Sequence, residues 1–465
     1  MPVAFGVYQK AYFMQECYHN VMVLLFIVYG LILRVRDLGG PSYWMDESFS
    51  IATAQALLQG DWLVRSPLYH LLLGIIGELS DWNIYVLRGL SLTIGVAMLV
   101  VGYSICQRWF TKPIAITFAA LLSFSTIEIA WSRQIRMYVL LQVLFWLSLF
   151  FYQQWRTKKI HWIIPLISTV VTVLTHEFGL YLFCVYLWYE LVQRFRRPVI
   201  PFILTLMSVF ILTHVIMPTV PYVNYWWHYL YFIGVQQSGF ILLAVCGVYV
   251  LSKKYQLLTQ WLVMAWFGWL SCLSFIVPLL QYRYLFMTFP IILLFAATGG
   301  VWLWQQRWFG KILLGASISL ILAQGQLTVI PQSFYKLESD PTTAPFSYKT
   351  FTPQPNFTAA YTFLADYPTT PVATPYPVVH QLYTGEWPDY VVFVNLTGGT
   401  YPTIPATYSE PSQLLTGVEI FLILDQFSEY RLDDRWESIM AQSEVIWEDE
   451  NLPWSSLRIY RIVPL

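Results

Sequence analysis

Charge is what this chain of 465 residues has least of. Only 11% of its residues are charged, where a soluble domain averages about 25%. The 26 Lys and Arg balance the 26 Asp and Glu, which leaves no global field to draw in nucleic acid or an acidic partner. Cysteine is scarce as well. Cys17, Cys106, Cys184, Cys246 and Cys272 lie in or beside apolar segments, with no CxxC or Cys/His spacing. That excludes a metal-thiolate framework or a disulfide scaffold and fits small buried apolar groups. No signal peptide with a cleavage site precedes the first apolar run, so that run is expected to act as an uncleaved anchor.

What remains is apolar: 57% hydrophobic and 18% aromatic. The chain therefore reads as a polytopic α-helical membrane protein. Apolar runs of bilayer-crossing length fall at about 19–36, 86–106, 113–128, 138–155, 160–176, 178–194, 198–217, 236–252, 258–278, 284–304 and 311–329. A shorter run, SPLYHLLLGIIGELS (66–80), carries Glu78. If 66–80 does not cross and the N-terminus is cytoplasmic, five basic clusters fall on the cytoplasmic side: Arg108/Lys112, Arg156/Lys158/Lys159, Arg194/Arg196/Arg197, Lys253/Lys254 and Arg307/Lys311. The positive-inside rule favours that arrangement. It gives about eleven spans, with interfacial helices in the first outer loop. Arg34 and Arg36, at the outer end of the first span, are its exceptions.

Past residue 331 the composition changes to Pro, Thr and Tyr, and the apolar runs shorten to strand length: DYVVFVN (389–395), EIFLILD (419–425) and SLRIYRIV (456–463). A helix-like SEYRLDDRWESIMAQ (428–442) separates the last two. Two domains are expected, a membrane domain over 1–330 and a small extracytoplasmic α/β domain over 331–465.

The polar residues gather at the outer ends of spans. YWMDESFS (43–50) sets Asp46 beside Glu47 at the start of an amphipathic stretch. One reading makes Asp46 a helix cap with Glu47 in the first turn. The other makes Asp46 a general base, with Glu47 buttressing the loop or binding the acceptor. In WSRQIRMY (131–138), Arg133 and Arg136 stand three apart beside Glu128. They are either interfacial anchors or, on one helix face, a bidentate grip on phosphate. QYRY (281–284) adds Arg283 between Tyr282 and Tyr284. His176 and Glu177 lack the HExxH spacing of a metal pair and read as a polar helix end. A transporter would keep such groups near the midplane in paired repeats. No inverted repeat is visible here.

Taken in order, the DE pair, SPLYHLLL, VLRGLSLTIGV, IRMYVLL, HEFG and RYLFMTFP resemble the protein O-mannosyltransferase family and its bacterial family 39 relatives. Those relatives include the lipid A aminoarabinose transferases, and all are C-type membrane glycosyltransferases. The resemblance spans about residues 19–300. It implies inverting transfer of a sugar, hexosyl or pentosyl, from a polyprenyl-phosphate donor to a protein, lipid or glycan acceptor. Transfer would occur on the outer face of a bacterial inner membrane, and membrane lipids are the surrounding partners. Asp46 maps onto the family's loop aspartate and Glu47 onto its second acid. Arg65, His70, Arg133, Arg136, Tyr138, His176 and Arg283 make up the implied set around donor phosphate and substrate. Serine stands where the family's PPLYYLLL has its first proline. Gln134 and Met137 flank the arginine where many relatives carry a second acid. The chemistry requires no metal or other cofactor, while leaving room for a divalent cation. Two other classes stay open: a transporter or flippase of lipid-linked glycans, and a ligase using pyrophosphate-linked oligosaccharides.

Overall fold

A computed structural model describes residues 2–36, 38–39, 45–62, 64–195, 225–275, 277, 282–328, 356–392, 408–409, 414, 418–425, 432, 436–449 and 457–463. Helices dominate the described residues up to 328. They are α1 (Pro2–Val35), α2 (Met45–Leu58), α3 (Pro67–Leu79), α4 (Ile84–Trp109), α5 (Lys112–Phe124), α6 (Thr126–Trp131) and α7 (Tyr138–Arg156). There follow α8 (Ile163–Thr175), α9 (Tyr181–Phe195), α10 (Trp226–Tyr231), α11 (Ser238–Lys254), α12 (Gln256–Phe275), α13 (Phe289–Gln305) and α14 (Trp308–Ala323). Cys17–Val35, Ile84–Trp109 and Gln256–Phe275 are long and apolar enough to cross a membrane. A fourth span forms if Trp226–Gln236 and Ser238–Lys254, bent by 90° at their junction, count as one. The chain is an integral membrane protein. The expected span at 198–217 lies outside the described residues.

The chain divides into two compact units. One holds 1–36, 62–73 and 87–332; the other holds 37–61, 74–86 and 333–465. In the first unit, α11 and α13 cross with almost no space between their backbones. A Cβ on Gly247 would lie 1.9 Å from the Phe295 carbonyl oxygen, and one on Gly299 the same distance from that of Leu243. Small residues permit this approach where helices pack without a hydrophobic driving force between them. Arg34, an exception to the charge rule, is almost fully buried here. Its guanidinium donates to the carbonyls of Gly30 (2.9 Å), Leu122 (3.1 Å) and Ser123 (3.1 Å). Arg34 therefore ties α1 to the C-terminal end of α5, and its position reflects packing.

The second unit contains α2 and a six-stranded sheet. Its strands are β1 (Val372–Thr374), β2 (Tyr390–Val392), β3 (Tyr408–Ser409), β4 (Ile420–Asp425), β5 (Ser443–Glu448) and β6 (Leu457–Ile462), in the order β3-β2-β1-β4-β6-β5. β3, β2, β1 and β4 run parallel, while β6 pairs antiparallel with β4 and β5. The continuous apolar run of β4 follows from burial on both faces. Phe421 and Ile423 pack with Phe357, Tyr361 and Leu364 of α15 (Phe357–Leu364) on one side. Ile420, Leu422 and Leu424 pack with Trp436 and Ile439 on the other. Asn356 caps α15 through its side-chain oxygen, which accepts from the Ala359 amide at 3.2 Å. Of the expected helix over 428–442, the described part is α17, Glu437–Met440. α16 (Pro377–Thr384), the crossover after β1, packs against α2.

Candidate active site

Six of the residues singled out in the sequence meet in the first unit, all at helix ends or in the turns beside them. α8 stops at His176, whose backbone is extended. The side chain then caps the next turn, its Nδ1 accepting the Phe178 amide at 3.1 Å. The ring hydrogen of this buried histidine therefore sits on Nε2. Glu177 Oε2, 3.2 Å from the same Nδ1, finds no proton there to share. His176 Nε2 lies 3.5 Å from Arg65 Nη2. Both atoms carry hydrogens, so neither can bond the other, and one acceptor oxygen can serve both.

Arg65 forms an ion pair with Glu177. Burial alone would lower its pKa, but the Glu177 carboxylate outweighs this and raises it. Burial would raise Glu177, and the hydrogen bond from Arg65 brings it below the usual carboxylate range. The Arg65 carbonyl accepts from His70 Nδ1 at 2.7 Å, in the first turn of α3. Burial pushes His70 down to about 4; the carbonyl bond opposes this and the Arg136 cation adds to it. His70 is therefore neutral at physiological pH.

Tyr138, the first residue of α7, is the centre of the group. Its ring lies 5.8 Å from that of His176 and 6.2 Å from that of Tyr284. The guanidinium of Arg136 stands 5.5 Å from the Tyr138 ring and that of Arg283 stands 5.9 Å from it, within the range where a cation is drawn to an aromatic face. Arg283 is also 5.6 Å from Tyr284. Arg65, Arg136 and Arg283 all act electrostatically on His176. Among the described residues, three guanidinium groups and the Glu177 carboxylate surround two buried tyrosines and two histidines. Planar guanidinium donors suit an oxyanion.

Arg133 is not part of this group. Residues 132–137 form an irregular turn between α6 and α7, so Arg133 and Arg136 do not share a helix face. Arg133 is buried and donates to the Arg36 carbonyl. The turn lies close to α4 at Gly95, where a Cβ would meet the Ser132 Cβ at 2.4 Å. Glu128, beside it in the sequence, is also buried and accepts from Gln142 at 3.1 Å.

Asp46 and Glu47 lie in the second unit. The helix begins at Met45, so both acids occupy the first turn of α2 and neither is the cap. Glu47 is fully buried and Asp46 half-buried, with its carbonyl accepting from Ser50 Oγ at 3.0 Å. Glu177 and Tyr284 were legible only as a helix end and a flanking aromatic. Among the described residues, no three His, Cys, Asp or Glu side chains gather into a metal-holding group.

No family model and no curated protein matches the sequence. Among solved structures, ArnT from Cupriavidus metallidurans in the apo state aligns over 95% of this chain and 98% of its own, at 12% identity and a TM-score of 0.56. The chain has the GT-C fold. ArnT from the same organism bound to undecaprenyl phosphate aligns over 94% and 97% at 14% identity, with a TM-score of 0.53. The resemblance drawn from the short motifs thus holds at the level of fold, along nearly the whole of both chains.

Proposed function

We propose that the chain is a glycosyltransferase that moves a sugar from a polyprenyl-phosphate donor to an acceptor hydroxyl, with inversion, on the extracytoplasmic face of a bacterial inner membrane. The observation that carries this reading is the convergence of Arg65, Arg136 and Arg283 on Tyr138 and His176. ArnT, which shares the fold, has been solved with undecaprenyl phosphate bound.

In this reading residues 1–330 are the transferase domain and 331–465 the outer domain. As the anomeric carbon–oxygen bond breaks, the electron pair moves to the phosphate oxygen and the polyprenyl phosphate leaves. Preorganised guanidinium groups and the His176 Nε2 hydrogen stabilise that growing charge. Glu177 holds Arg65 in place between turnovers, and His70 fixes the backbone that presents it. Asp46 takes the proton of the attacking acceptor hydroxyl, and Glu47, buried beside it, holds the turn. The transferred unit is a hexose or pentose, and the step requires no metal. A flippase has less support, because every residue of the cluster stands at a helix end, where a transport path would place such groups mid-span.

The test is a glycan profile of cells lacking the gene, complemented with wild type or with Asp46→Asn. Wild type should restore one missing glycan. Asp46→Asn should cut the rate by roughly 10²–10⁴ while accumulating in the membrane at the wild-type level. An unchanged profile on deletion would sink the transferase reading, and full restoration by Asp46→Asn would sink the role of Asp46 alone.

A further inference from the structure

At the start of α3, where the resemblance sets a proline, this chain has Ser66. Its φ is +59°, a left-handed conformation that a proline ring cannot adopt and that costs a non-glycine residue about 1–2 kcal/mol. A serine before a helix ordinarily folds its hydroxyl back onto the first-turn amides. Here it does not. Ser66 is 4% exposed, and its Oγ has no hydrogen-bond partner among the described residues. An unsatisfied buried hydroxyl is costly and in native proteins usually marks a missing water, ion or ligand.

The neighbours say which ligand. Ser66 follows Arg65, whose guanidinium lies beside His176. The Ser66 carbonyl accepts from the His70 amide at 3.2 Å, closing the first turn of α3. The first amides of a helix have no intrahelical acceptor and carry the positive end of its dipole, so an oxyanion placed there meets both helix and cation. A hydroxyl without a partner at that point offers a further donor to the same charge.

We propose that Ser66 Oγ, with the Leu68 amide that follows Pro67 at the start of α3, binds a non-bridging oxygen of the donor's phosphate. This rests on the donor site placed above and adds to it a contact that a proline could not make. The strained backbone is what keeps the hydroxyl from capping its own helix.

The experiment measures binding of polyprenyl phosphate and of polyprenol, which lacks the phosphate, to the purified full chain. Wild type should prefer the phosphate. Ser66→Ala keeps the backbone demand and removes the hydroxyl; Ser66→Gly removes both. Each should weaken polyprenyl phosphate binding about tenfold or more, the scale of one hydrogen bond to a charged group, and leave polyprenol binding as it was. Ligand-free Ser66→Gly should melt no lower than wild type, because no cap is lost and the strain is relieved. Phosphate preference retained in full by both variants would overturn the role of Ser66 and leave the donor site standing. No phosphate preference in wild type would overturn both.

Discussion

Replacing Arg283 separates what it does for the empty protein from what it does for a bound phosphate. In the empty site it has two opposed effects. Arg65, Arg136 and Arg283 crowd one site, so removing Arg283 relieves some repulsion between like charges. Its contacts with the buried rings of Tyr138 and Tyr284 are worth up to about 2 kcal/mol each where the pair is desolvated. The ring contacts outweigh the relief, and Arg283→Met should lower ligand-free stability by about 1–2 kcal/mol. With phosphate bound the balance is one-sided. A hydrogen bond to a charged group is worth about 1.5–3 kcal/mol, so affinity should fall roughly thirtyfold. Polyprenyl phosphate at about 100 times its wild-type dissociation constant stabilises by about 2.7 kcal/mol, and after that fall by roughly 0.9. Thermal unfolding in detergent, with and without the lipid, reads both quantities. Arg283→Lys should recover part of the loss, since an ammonium keeps the charge without the planar fork. Arg283 does not hold the phosphate if Arg283→Met keeps the full ligand-induced stabilisation, or if lysine replaces arginine without loss, as an interfacial anchor would allow.

Three further outcomes are expected. His70 has a folded pKa near 4 against about 6.5 unfolded. Its contribution is therefore whole above pH 6.5 and is lost as the pH falls to 4, by roughly 3 kcal/mol; His70→Asn should flatten the stability profile in that window relative to wild type. Gly247→Ala should lower the melting temperature or abolish folding, because its Cβ would sit 1.9 Å from the Phe295 oxygen and overpacking costs about 1–3 kcal/mol or more. Gly315→Ala, where nothing lies within 4 Å, is the control and should be neutral or stabilising. In a cysteine-free background, Asn83→Cys and Glu386→Cys should react with an impermeant thiol reagent in intact cells and Lys158→Cys should not. Labelling of position 83 only after permeabilisation would mean that 66–80 crosses the membrane, and the polar groups would no longer share one face.

Local signals carried much of the fold. The unbroken apolar run of IFLILD reflects burial that a short window records, and it became the expected strand. DESFSIATAQALL became the expected helix, but its buried face holds Glu47, Ser50, Ile51, Ala54 and Leu57, while Phe49, Ala52 and Ala56 are half-buried. β5, SEVIWE, gave no such signal, because this edge strand is half-exposed and carries Glu444 and Glu448. The site was legible as residue types and less so as partners. Arg65 and Glu177 stand 112 positions apart, and nothing local to either announces the pair. Arg133 and Arg136 look equivalent by spacing. The turn at 132–137 separates them, turning one into a backbone tie to Arg36 and the other towards Tyr138.

The contact between α2 and α16 has a consequence for how the protein is made. The helix bearing Asp46 and Glu47 leaves the ribosome long before the crossover helix it packs against. Closing so long a loop costs little more free energy than closing a moderate one, but it cannot happen before the partner exists. The acidic helix must wait, without this partner, through the synthesis of the segments between them. A ribosome stalled before residue 377 would leave a chain whose acidic helix lacks its crossover partner. Closure of the contact between α2 and α16 is thus a late event in biosynthesis, set by the order in which the two helices are made.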